Sequence, residues 1–223
     1  MSSRVFLLRH GRTAWNAERR FQGQADPPLD DVGRAQAYEA AALVAALDAN
    51  VLLSSDAMRA VQTAEPIAEI TGLEILVDQR LRERSLGHWE GLTRDEVADR
   101  YPDEYADWIA GRDVSRRGGE TRKQVAARAL AAFSDLPDVA TAVLVTHSAT
   151  AMALCSALLG MRQEVHVLGP LANCHWSELW VEHHDGAGPL WRLRAHNIGA
   201  PGAVAPLPLR LAVSGDDAPD ADA

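Results

Sequence analysis

Residues that would staple or anchor the chain are scarce. Two cysteines, Cys155 and Cys174, stand in 223 residues. Two are too few for a disulfide framework or a zinc ribbon, and no C-x-x-C pair offers redox chemistry. No apolar run approaches the length of a membrane span. The N-terminal MSSRVFLLRHG has four apolar residues and then an arginine, so it does not read as a secretion signal. These absences predict a cytoplasmic location and no membrane partner. Positive charge is short as well: 22 Lys and Arg face 31 Asp and Glu, for a net charge of −9. That balance argues against a general nucleic-acid binder. A small anionic substrate stays open, because local charge can oppose net charge.

What is present is ordinary globular composition, 47% hydrophobic and 24% charged, in a chain long enough to bury a core. Short apolar runs at 4–8, 51–54, 74–77 and 141–146 read as strands. Segments 30–47, 57–71, 121–136 and 149–159 carry helical patterning, and Gly72 and Gly160 stand where C-terminal caps are expected. Segments 174–181 and 190–195 alternate as two further strands around a turn at 183–189. Strands alternating with helices predict an α/β fold. Its sheet is mostly parallel, with helices on both faces and an antiparallel edge. Residues 82–119 break the alternation and predict a small helical insertion. The expected domain is 1–199. The Pro-, Ala- and Asp-rich 200–223 reads as a flexible tail.

The chemistry-bearing residues follow the strands. LLRHGRTAWN (7–16) delivers Arg9 and His10 to the end of the first strand, and Asn16 follows. SSDAMRAVQTA (54–64) places Arg59 in the first turns of the next helix. LRERSLGHWEGLT (81–93) carries Glu83 beyond the third strand. LVTHSAT (144–150) puts His147 after the fourth. In a parallel sheet these ends share one edge, where ligands of open α/β sheets bind. Two Arg, two His and one Glu form a phosphate-binding and proton-transfer set. Salt bridges at loop mouths would explain one or two such coincidences, but not four.

RHG…N, S-x-x-x-R-A-x-Q-T-A, L-x-E…G-x-W-E-G-L and the late strand–His, in this order, resemble the histidine phosphatase superfamily. That group includes cofactor-dependent phosphoglycerate mutases and many acid phosphatases. The resemblance runs from Arg4 to about Asn197. It implies a phosphoglycerate mutase-like fold with the insertion over the site. It implies that His10 is the nucleophile and forms a phosphohistidine. Arg9, Arg59 and His147, the last as a cation, would surround the phosphoryl group, with Asn16 as a further donor. Glu83 would be general acid and then base. Gln22 and Gly23 match a substrate-contacting loop. Where many relatives have Gly-Gly, this chain has Ser148 and Ala149. The Ser148 hydroxyl adds a donor or its Cβ narrows the pocket, which leaves specificity open. No cofactor and no metal are implied, and a homodimer is allowed without a legible interface.

The resulting expectation is a metal-independent phosphatase acting on a small phosphomonoester. QGQAD, NCHW and LWRLRAHN resemble segments of actinobacterial glucosyl-3-phosphoglycerate phosphatases, which implies a sugar-linked phosphoglycerate. Ribazole phosphate and broad acid phosphatase substrates stay open. A phosphoglycerate mutase is the alternative, disfavoured by the short insertion. A catalytically weak regulatory module is a third reading, opposed by the intact His10, Glu83 and His147. Arg116 and Arg117 read as a solvated pair, with a substrate carboxylate as the other reading. Trp89 and Trp108 read as core or cap packing, with an aromatic wall beside a sugar as the other reading. His88, His166, His175, His196 and the His183–His184 pair read as structural or exposed, and Cys155 as a buried thiol.

Overall fold

The computed structural model describes residues 4–136, 141–164, 167–182 and 189–199. The tail 200–223, His166 and the His183–His184 turn lie outside the described residues. Six strands form one sheet: β1 (Arg4–Arg9), β2 (Val51–Ser54), β3 (Ile75–Val77), β4 (Thr141–Thr146), β5 (Trp176–Glu182) and β6 (Leu190–Ile198). Their order is β3-β2-β4-β1-β5-β6. The first four are mutually parallel, β5 runs antiparallel beside β1, and β6 runs antiparallel to β5 at the edge. Both the parallel centre and the antiparallel edge agree with the sequence pattern.

Alternation along β1 sorts its side chains between two faces. Val5 and Leu7 join Leu53, Leu144 and Leu179 beneath helices α6 (Arg122–Ser134) and α7 (Ser148–Leu158), which contribute Ala129, Ala132 and Leu154. Phe6 and Leu8 face the other way, with Leu52, Val143 and Val145, toward α2 (Asp31–Ala45) and α3 (Met58–Thr71). Every residue of β4 is buried. Cys155 is a free thiol in the first of these cores, and burial pushes its pKa up to about 12.

The first helix, α1 (Ala14–Ala17), is a single turn that the apolar pattern does not reveal. It is held by a capping box: the Thr13 side chain accepts from Asn16 N, and the Asn16 side chain accepts from Thr13 N. In the insertion, α4 (Arg94–Arg100) and α5 (Pro102–Ile109) are the two short helices. They pack around Trp89, which is fully buried with Val97 and Val114 and touched by Phe21, Tyr105 and Trp108. The insertion thus has its own small core at the C-terminal edge of the parallel strands.

Candidate active site

The ends of β1, β2, β3 and β4, with the insertion, enclose a cleft of about 630 Å³ lined by Arg9, His10, Asn16, Gln22, Gly23, Arg59, Glu83 and Ser148, among others. His147 stands directly behind this wall, its ring centroid 5.1 Å from that of His10. The nine residues singled out from the sequence therefore converge on one place.

His10 is 3% exposed. Its Nδ1 lies 2.7 Å from the Gly11 carbonyl oxygen. A carbonyl only accepts, so Nδ1 carries the proton and Nε2 keeps its lone pair. Burial, then the charges of Arg59 and Arg9, holds the His10 pKa well below its usual value. The free imidazole is neutral at physiological pH. The Asn173 amide donates to the His10 carbonyl at 3.0 Å, and the Thr63 hydroxyl accepts from Gly11 N at 3.0 Å. Both fix the loop that carries His10.

Arg9 donates from Nη1 to the Leu171 carbonyl at 2.6 Å, and its buried Nε has no partner among the described residues. Arg59 is 1% exposed. It donates to the Ala25 and Gly23 carbonyls at 2.6 and 3.0 Å, tying the 22–26 loop over the site, and its Nε is also unpaired among the described residues. Burial lowers the pKa of both arginines, which Glu83 partly opposes. The Gln22 Oε1 is buried without a partner among the described residues. Asn16 spends its Oδ1 on Thr13 and Asn173, so its amide nitrogen is the group left for a ligand.

His147 departs from expectation. Sequence reasoning makes it a cation, but it is fully buried, and burial followed by the charge of Arg59 holds its pKa well below the usual value. The free protein therefore has a neutral His147. Its Nε2 meets the Ser55 hydroxyl at 3.1 Å, and its Nδ1 has no partner among the described residues. Two arginines already supply positive charge, and a third buried cation beside them is unfavourable until an anion enters.

Glu83 lies against the N-terminus of α7. Its Oε1 accepts from Arg84 N at 2.8 Å and Thr150 N at 3.3 Å, and its Oε2 from Ala149 N at 3.3 Å. His147, the residue preceding α7, offers no side-chain cap, so the carboxylate meets the orphan N–H groups there. Ser148 is the first residue of that helix and lines the cleft.

Arg117 departs further. Rather than half of a solvated pair, it is 1% exposed, whereas Arg116 is exposed and paired with Asp107 at 2.7 Å. Trp89 is packing, as expected, and Trp108 lines the cleft. His88 is exposed beside Glu104, and His175 is buried in the loop before β5. Ser55, Thr63, Thr150 and Asn173 were not singled out, although Ser55 and Thr63 lie in SSDAMRAVQTA and Asn173 in NCHW. Among the described residues, no three His, Cys, Asp or Glu side chains group to hold a metal ion.

Residues 5–197 match the family model of the histidine phosphatase superfamily, branch 1. The chain belongs to this superfamily. The histidine phosphatase is 38% identical, over 88% of its length and 95% of the relative's, to a glucosyl-3-phosphoglycerate phosphatase of Mycolicibacterium vanbaalenii. It is 35% identical, over 78% of its length and 83% of the relative's, to a GpmB-type phosphoglycerate mutase homologue of Enterobacter. Its fold matches that of a mycobacterial glucosyl-3-phosphoglycerate phosphatase solved with VO3. The TM-score is 0.78 at 36% identity, covering 87% of this chain and 99% of that one. The histidine phosphatase is a phosphoric monoester hydrolase. No helix of the described residues is long and apolar enough to cross a membrane.

Proposed function

We propose that this histidine phosphatase hydrolyses a sugar-linked phosphoglycerate through a phosphohistidine on His10, without a metal ion. The observation that carries the reading is the state of His10: neutral, anchored at Nδ1 by the Gly11 carbonyl, and bordering a cleft beside two buried arginines with unpaired Nε atoms. Phosphoryl transfer needs positioning and charge neutralisation above all. Arg9 and Arg59 supply permanent positive charge in a desolvated site. The His10 Nε2 attacks phosphorus as the bond to the leaving oxygen breaks. The Nδ1–H···O=C bond to Gly11 stabilises the positive charge that develops on the ring. Glu83 donates a proton to the departing alkoxide. It then takes one from the water that displaces His10 and releases phosphate. His147 Nδ1 and the Asn16 amide are the remaining groups for the phosphoryl oxygens, and the Ser148 hydroxyl and Gln22 address the rest of the substrate. Two buried, unpaired thiols, Cys155 and Cys174, suit a reducing cytoplasm. The names of the mycobacterial relatives support the substrate class.

The test is phosphate release from a panel of glucosyl-3-phosphoglycerate, 3-phosphoglycerate and p-nitrophenyl phosphate, with chelator present. Release from the first, with an acid-labile phosphoenzyme that His10→Ala abolishes, is the expected result. Transfer of phosphate between positions of one phosphoglycerate, without release, would replace this reading with a mutase. Loss of activity on chelation would overturn the metal-free mechanism.

A further inference from the structure

We propose that Arg128, on α6, is a positioning residue that sets the place of the Glu83 carboxylate. This rests on the reading above, in which Glu83 is the acid, and names what holds that acid in line.

A guanidinium has five N–H donors, and Arg128 uses all of them inside the protein. Nε and Nη2 donate to the two carboxylate oxygens of Glu120 at 2.7 and 2.9 Å. Nη1 donates to the Arg80 and Arg82 carbonyls, each at 2.7 Å. The second Nη2 hydrogen goes to the carbonyl of Glu83 itself at 3.1 Å. Arg9 and Arg59 each keep an unpaired Nε beside the cleft, whereas Arg128 keeps no donor back for a ligand. Its partners are the backbone on which the acid is mounted.

That backbone has no regular structure to hold it. Residues 79–81 form a single 3-10 turn, and 83–86 belong to no helix or strand. Such a stretch must find side-chain partners for its carbonyls. Arg128 serves three of them. The Thr146 hydroxyl donates to the Leu81 carbonyl and the Thr150 hydroxyl to that of Arg82, each at 2.7 Å. The Glu83 carboxylate is gripped more loosely by α7. Its contacts with Ala149 N, Thr150 N and the Thr150 hydroxyl are 3.3, 3.3 and 3.4 Å. Its one short bond, 2.8 Å from Arg84 N, comes from the same stretch. The carboxylate therefore goes where the backbone of 82–84 goes, and Arg128 fixes that backbone.

Glu120 completes the clamp. Burial disfavours its charge, but hydrogen bonds from Arg128 and from Ser85 N, the latter 2.9 Å, outweigh that and hold its pKa below the usual value. Its own N–H donates to the Ser85 carbonyl at 3.0 Å. The ion pair thus grips the chain on both sides of Glu83. A lysine has three donors on one atom and cannot span a carboxylate and three carbonyls as the planar fork does. The size of the effect is bounded. A general acid contributes about 10²- to 10⁴-fold, and misplacing a reacting group by about 1 Å costs about 100-fold.

The test follows phosphorylation of the enzyme by rapid quench with two esters. One is 3-phosphoglycerate or glucosyl-3-phosphoglycerate, whichever turns over faster, and the other is p-nitrophenyl phosphate. Arg128→Met should slow the step about 10- to 100-fold with the alkyl ester. With p-nitrophenyl phosphate, whose leaving group needs no proton, it should slow the step less than about threefold. In a Glu83→Gln chain, Arg128→Met should add less than about twofold, because a residue that acts through Glu83 then has nothing left to place. Arg128→Lys keeps the charge without the fork and should stay close to Arg128→Met. Equal slowing of both esters, losses that multiply with Glu83→Gln, or full rescue by lysine would overturn the proposal. Hydrogen exchange on the same chains reads position without chemistry. Amides of 80–86 should exchange faster in Arg128→Met while those of β1 and β4 keep their protection. That local loosening, with Glu83→Gln as fast as the parent on the alkyl ester, would keep the clamp while the reading of Glu83 as acid fell. Unchanged exchange at 80–86, with Glu83→Gln slow, would overturn the clamp and keep the acid. Where Arg128→Met does not fold, Glu120→Gln loosens the same clamp at nearly constant shape, and the same pattern is expected of it.

Discussion

His10 and His147 are neutral because of where they sit. An exposed histidine titrates near pH 6.5, and both are held well below that by burial and adjacent arginines. The unfolded chain therefore takes up protons first as pH falls. Stability contributed by the neutral histidines is full above the unfolded value and is lost as pH drops toward the folded ones. The expected slope below pH 6.5 is about 1.4 kcal/mol per pH unit for each histidine. Urea melts at pH 7.5, 6.5 and 5.5 check it, and flat stability across that range would contradict the burial argument. Glu83 yields a kinetic expectation. In the proposed mechanism Glu83→Gln removes the acid, so kcat on an alkyl phosphate should fall about 10²- to 10⁴-fold. With p-nitrophenyl phosphate, whose leaving group needs no proton, phosphorylation of His10 should fall far less. Burst kinetics separate the two steps. The placement of these residues at the strand ends was legible from residue type and position, and the roles proposed for them rest on the family resemblance. The charge state of His147 was not, because desolvation by distant segments sets it.

At the scale of elements, the site depends on close approaches that a side chain would obstruct. The β1–α1 loop crosses the first turn of α2: the Arg12 carbonyl accepts from Asp30 N at 3.0 Å, and Arg12 Nε pairs with Asp30 at 2.8 Å. A Cβ on Gly33 would collide with the Arg12 backbone. Gly33→Ala should destabilise the protein by about 1–3 kcal/mol, the usual penalty for overpacking, and displace the loop that holds His10. Thermal melts and the KM for a phosphomonoester would report the two effects together. Gly87→Ala forces a positive φ on a residue with a Cβ and should cost more than about 1 kcal/mol. The added Cβ would also collide with the Arg117 backbone carbonyl. Long helices and β1 to β4 were readable because their apolar periods are clear. The single turn of α1 was not, since four residues carry no period and a capping box holds them.

The whole molecule sets a positive cleft in a negative chain. Its net charge is −9, yet Arg9, Arg59, Arg84 and Arg117 all line one cleft. Low-dielectric walls focus such a field, and mobile ions screen its outer part. For a dianionic ester, kcat/KM should therefore fall several-fold between low ionic strength and about 0.5 M salt, a range over which the Debye length shrinks to a few ångströms. The effect should fall mainly on KM. A rate indifferent to salt would mean the arginines act only at contact distance.

The order of strands and helices, the two-sided burial of the parallel strands and the placement of Arg9, His10, Arg59, Glu83 and His147 at strand ends follow from the sequence alone. Hydrophobic period and strand connectivity are local properties, and a parallel sheet sends all such ends to one edge. Only the tertiary structure decided which charges are neutralised. Among the described residues Asp107 pairs with Arg116 and no carboxylate pairs with Arg117, although the two are adjacent in the chain. That difference arises from packing on Trp89 and from acids contributed by α5 and the loop after it. Protonation state and charge pairing depend on what surrounds a group in space, and no linear pattern encodes that.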